Sequence, residues 1–124
     1  MVLLVGFKRD FFQELPLSLF AKGSIQRVHA LEEAEHIISE DLSEIKVVAI
    51  DQTLMSDEKV IPTGEFVERI RSIYKGPILI VTDSHNKWRV MKKLGATHWC
   101  PQWNTANLIT KIIEGKPTEV ECST

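Results

Sequence analysis

Asp51 closes the apolar run Val47-Val48-Ala49-Ile50 near the middle of the chain, where a carboxylate is placed to act rather than to pack. In an open parallel α/β sheet, the carboxyl ends of the central strands face the ligand crevice. Other residues able to do chemistry fall at equivalent places if the neighbouring apolar runs are also strands. Gly6, Phe7 and Lys8 follow the first run, and Thr82 ends the fourth. An opposite charge within about 4–6 Å would keep Asp51 ionised, so Lys8 or the exposed amides of a neighbouring loop are its expected partners. Thr82 is expected nearby, hydrogen-bonding at a strand end.

Competing chemistries are poorly supported. His29, His36, His85 and His98 do not cluster as zinc ligands, and His36 with Glu32 and Glu40 reads as a solvated helix face. Cys100 reads as a small core residue, and no catalytic triad accompanies it. Gly6 stands without the further glycines of a dinucleotide fingerprint.

The elements that must position these residues alternate along the chain. Strands are expected over Val2–Val5, Ile25–Val28, Lys46–Ile50, Pro77–Val81 and Ala96–Cys100, mostly continuous runs of the kind covered on both faces. Helical spacing falls between them. Asp10 caps a first helix striped by Phe12, Leu15 and Leu19, with Pro16 restricting it; Leu31, Ala34, Ile37 and Ile38 mark a second. Phe66, Val67, Ile70, Ile73 and Tyr74 mark a third, and Val90, Met91 and Leu94 a fourth that stops at Gly95. Leu108, Ile109, Ile112 and Ile113 mark a fifth, capped by Asn104. Five strand–helix alternations predict a five-stranded parallel sheet, order 2-1-3-4-5, with right-handed crossovers and helices on both faces: a flavodoxin-like α/β fold. Its crevice opens beside strands 1 and 3. One domain is expected over residues 1–116, with 117–124 a loose, polar tail.

Composition sets outer limits. A chain of 124 residues, 44% hydrophobic and 26% charged, fits one globular core. The net charge of −2 gives no pull towards nucleic acid or an anionic membrane. No apolar run reaches the roughly 20 residues of a membrane span, and Met1–Gly6 is too short for a signal-peptide core. Cys100 and Cys122 read as reduced thiols, pointing to the cytoplasm.

Over roughly residues 1–115 the chain resembles the receiver domain of two-component response regulators. The resemblance rests on Asp51 at the phosphoacceptor position, Thr82 at the end of strand 4, the pair Gly95-Ala96, and Trp99 as the aromatic switch residue. There are three departures. Gly6 and Phe7 stand where receivers carry two Mg²⁺-binding acids. Gln102, or Cys100-Pro101 on the alternative match, stands where receivers carry a lysine before a proline. The loop after Asp51, Gln52 to Pro62, is longer than usual. Moving a phosphoryl group onto a carboxylate requires the developing charge to be neutralised. The resemblance thus implies an atypical, stand-alone receiver that signals through protein–protein contacts and is not an enzyme. No cofactor is expected unless Asp10, Asp57 or Glu58 rebuild a Mg²⁺ site. The implied partner is a histidine kinase, an output protein or a second copy of the chain. Trp88 and Trp103, beside the basic residues Lys87, Arg89, Lys92 and Lys93, are the expected interface. The alternatives are a phosphorylatable phosphorelay receiver with relocated acids and a small-molecule-binding flavodoxin-like domain.

Overall fold

Short runs of valine, leucine and isoleucine with no polar alternation are stable as strands only where helices cover both faces. The computed structural model, which describes residues 1–7, 24–51 and 60–116, arranges them in that way. β1 (Val2–Val5), β3 (Val47–Asp51) and β4 (Ile78–Val81) are buried along their whole length. β2 (Ile25–Val28) and β5 (His98–Cys100) form the two edges. All neighbours are parallel, and the order is β2-β1-β3-β4-β5, as the alternation predicts.

Four α-helices lie among the described residues: α1 (Leu31–Glu40), α2 (Val60–Arg71), α3 (His85–Leu94) and α4 (Thr105–Glu114). Glu32 and Glu33 sit in the first turn of α1, where the helix dipole favours anions, and Ala34 and Ile38 face the core. Ser84 caps α3, its hydroxyl accepting from the Lys87 N–H at 3.3 Å. Gly115 closes α4 in the left-handed region at φ 73°. A 3-10 turn, Gln102–Asn104, joins β5 to α4.

The sequence places some boundaries differently. β3 runs one residue further than expected, so Asp51 is itself a strand residue, paired with Val81. β5 is shorter, beginning at His98 rather than Ala96. α2 begins at Val60, inside the stretch expected to be loop. Pro62 is compatible with this because the first turn of a helix has no intrahelical partner for its N–H. Asn104 precedes α4, but its side chain accepts from the Asn107 amide at 3.1 Å instead of capping the backbone. The first predicted helix, the segment from Gln52 to Lys59 and the tail 117–124 lie outside the described residues.

Strand alternation divides the core in two. Leu3, Val5, Val48, Ile50, Ile78 and Ile80 pack beneath α1, α2 and α3 with Phe66, Ile70, Trp88 and Met91. Val2, Leu4, Val47, Ala49, Leu79 and Val81 face the other way, towards Leu108 and Ile109 of α4. On the first side, Arg71 ties the end of α2 to its surroundings. It donates from Nε to the Gly95 carbonyl (3.0 Å), from one Nη to that of Tyr74 (2.9 Å) and from the other to that of Gly76 (2.9 Å). Gly95 has φ 125°, and a Cβ there would lie 2.8 Å from Arg71 Cγ. Among the described residues, no helix is long and apolar enough to cross a membrane.

Candidate functional site

Asp51 continues the alternation of Val47 and Ala49, which directs it to the α4 side of the sheet at the carboxyl end of β3. It is fully buried, and among the described residues it is the only buried carboxylate. The 3-10 turn after β5 carries Gln102 to it: the side-chain amide donates from Nε2 to Asp51 Oδ2 at 3.2 Å. A residue from each of two non-adjacent strand ends thus meets in the crevice.

Beside them lies Cys100, whose thiol donates to Thr105 Oγ1 at 3.8 Å. Burial pushes this thiol from its ordinary value near 9.0 up to about 12, the Thr105 hydrogen bond opposes the rise, and the nearby Asp51 adds to it. A thiol held neutral in this way is a packing group and not a nucleophile.

Thr82 is buried, and its hydroxyl accepts from the Ser84 N–H at 3.1 Å, just ahead of α3. Its backbone carbonyl accepts the indole N–H of Trp99 at 2.8 Å. Trp99 lies half-buried between two rings: Trp88, stacked at 6.3 Å with 14° between planes, and His85, edge-on at 5.5 Å. Nothing in the sequence singles out His85 for this place. Its Nε2 and the Trp88 Nε1 are buried without a hydrogen-bond partner.

The strand-1 residues fall differently from the expectation. Gly6 turns the chain at φ 80° and donates its N–H to Val28 O at 2.9 Å; it offers no side chain. The Phe7 side chain corrects its assignment to the pocket: the turn at Gly6 sends it into the core beneath α4, with Leu108 and Ile109. Its carbonyl accepts from Arg27 at 3.2 Å; the same Nη1 lies 2.9 Å from His29 Nε2. Arg27 is a contributor that sequence reading misses, because one arginine in an edge strand carries no periodic or motif signal. Lys8 lies outside the described residues, as do Asp10, Asp57 and Glu58.

The three tryptophans separate. Trp88 is 2% exposed and packs with Met91 against the sheet, which corrects its assignment to an interface. The physical reason is helical geometry: Trp88 and Met91 share the inward face of α3, while Arg89, Lys92 and Lys93 take the outward one. Trp103, on the 3-10 turn next to Gln102, is 84% exposed.

A Mg²⁺ ion, which this fold type implies, needs several oxygen ligands with more than one anion among them. The described residues do not fit one. Asp51 stands with a glycine and an inward-turned phenylalanine where further acids would be required. Among the described residues no three histidine, cysteine, aspartate or glutamate side chains gather at one point.

Comparison of the whole fold with solved structures gives consistent matches. The chemotaxis protein CheY4 of Vibrio cholerae superposes with a TM-score of 0.69 at 24% identity, covering 94% of this chain and 97% of that one. A two-component response regulator from Clostridium difficile gives 0.70 at 18% identity, covering 92% and 94%. The signal receiver domain of a modulated diguanylate cyclase from Desulfovibrio desulfuricans gives 0.60 at 14%, covering 99% and 97%. The fold is that of a receiver domain. Asp51 ends β3 of that fold, Thr82 follows β4 and Trp99 lies within β5. No family model matches the sequence, and no curated protein does.

Proposed function

We propose that this receiver-fold chain is a signalling module that works through protein–protein contact, in the cytoplasm and without Mg²⁺-dependent phosphorylation of Asp51. The observation that carries the reading is the amide of Gln102 on Asp51, where phosphoryl transfer calls for an ammonium. An amide donates a hydrogen bond but brings no net positive charge, so it does little to offset the charge that builds on a transferring phosphoryl group. Gly6 and Phe7 add no metal ligands to help it. The structural neighbours described as a chemotaxis protein and a response regulator support a role in signal transduction.

A module without this switch works through a surface that is always available. Trp103 is the anchor of that surface, on the side formed by β5, the 3-10 turn and α4. Large aromatic residues commonly dominate interface energetics. The partner is a histidine kinase, an output protein or another copy of the chain, and the module is not itself an enzyme.

The test is a titration of the full chain with Mg²⁺ and beryllofluoride, followed by Trp99 fluorescence and amide chemical shifts. No saturable change around Asp51 is expected. A saturable change that disappears in Asp51→Asn establishes ordinary receiver chemistry instead.

A further inference from the structure

The helices over one face of the sheet are sorted by charge. α1 and the turn after it expose Glu32, Glu33, Glu40, Asp41 and Glu44, with no lysine or arginine between Leu31 and Glu44. α3 exposes Arg89, Lys92 and Lys93, with no acid between Ser84 and Ile113. α2 packs between them and is mixed, exposing Glu65, Glu68 and Arg69. Arg69 draws in Glu35 of α1 at 2.9 Å, which leaves the remaining acids of α1 and its following turn facing outward. With α2 in the way, the acidic and basic faces cannot neutralise each other within one chain. Each has an exposed aliphatic residue beside it, Leu42 (39%) and Val90 (47%).

We infer that the acidic face of α1 docks on the basic face of α3 in a second copy of this chain. Opposite signs meet only in that pairing; α1 against α1, or α3 against α3, sets like charges together. The net charge of −2 adds little repulsion between copies. Leu42 and Val90 supply apolar contact at the margins. Exposed charges are screened by salt and contribute modestly, so the association is weak and salt-sensitive, with the charges fixing orientation more than affinity.

Sedimentation velocity of the full chain over a concentration series tests this. Between about 0.02 M and about 0.3 M salt, the dissociation constant should rise on the order of tenfold. Arg89→Glu with Lys93→Glu in one chain, and Glu32→Lys with Glu33→Lys in another, should each abolish association alone and restore it when mixed. Circular dichroism checks that both remain folded, and Arg89→Ala with Lys93→Ala is a milder variant that should weaken association. A wild type that stays monomeric in low salt overturns the inference. So do reversed chains that associate like wild type, or a mixture that fails to recover association.

Discussion

Gln102 and Asp51 lie far apart in sequence yet meet at 3.2 Å, an amide donating to a buried carboxylate at the carboxyl edge of the sheet. The contact depends on the 3-10 turn that follows β5, which brings Gln102 back over the end of β3.

Replacing Gln102 by alanine removes a donor to a charged acceptor, and the expected loss is about 1–3 kcal/mol of stability. Gln102→Glu should cost more at neutral pH, since two carboxylates then face each other, and its defect should shrink as the pH falls. Urea unfolding at several pH values measures both. A glutamate variant as stable as the alanine variant at neutral pH would remove Asp51 from the argument as an ionised neighbour.

The tryptophans make opposite predictions. Trp88→Ala should destabilise the fold by about 3–5 kcal/mol, as expected for a large buried aromatic. Trp103→Ala should change stability by less than about 0.5 kcal/mol, as is usual for a surface substitution. Its effect is expected on partner binding, where loss of a central tryptophan costs about 2 kcal/mol, roughly thirtyfold. Thermal unfolding and a pull-down from extract read the two quantities separately.

Trp99→Phe keeps a ring beside Trp88 and His85 but deletes the N–H that serves the Thr82 carbonyl. Leaving that acceptor without its donor should cost about 1–3 kcal/mol. Amide shifts at Thr82, Asp83 and Ser84 should move most. If the strongest changes appear elsewhere, the hydrogen bond is not what locates this indole.

Alkaline pH should weaken the fold through two groups. Burial raises Tyr74 from 10.0 to about 12, against the lowering influence of Arg71, and raises Cys100 from 9.0 to about 12. In both cases the folded chain holds its proton more tightly than the unfolded one. The stabilisation is therefore complete below the unfolded values, near 9.0 for Cys100 and 10.0 for Tyr74, and is lost as pH rises towards about 12. Tyr74→Phe should flatten the upper part of this decline, as should Cys100→Ala the lower part. An unchanged alkaline profile in both variants would show that other groups set it.

Much of the architecture was legible because the strands are continuous apolar runs separated by helical spacing, a pattern that fits few topologies. The start of α2 was not, since Pro62 and a polar approach read as loop when only the helix interior excludes proline. Gln102 was placed in the pocket only by its match to the receiver lysine position, because strand order leaves β4 between β3 and β5. Trp88 was misplaced because its four basic neighbours in sequence suggested a surface, while its inward direction depends on the rotation of α3. The roles of Arg27 and Arg71 depend on which carbonyls happen to come within reach, and that information exists only in three dimensions.

The embrace of Arg71 around the end of α2 has a consequence for how this chain can vary. Gly95 needs its φ of 125°, and any side chain there would strike the arginine that donates to its carbonyl. Substitutions at 71 and 95 are therefore epistatic. Gly95→Ala should be worse in the presence of Arg71 than in its absence, and removing Arg71 first should relieve the collision but not the backbone strain. Homologous sequences that differ at one of these positions are expected to differ at the other.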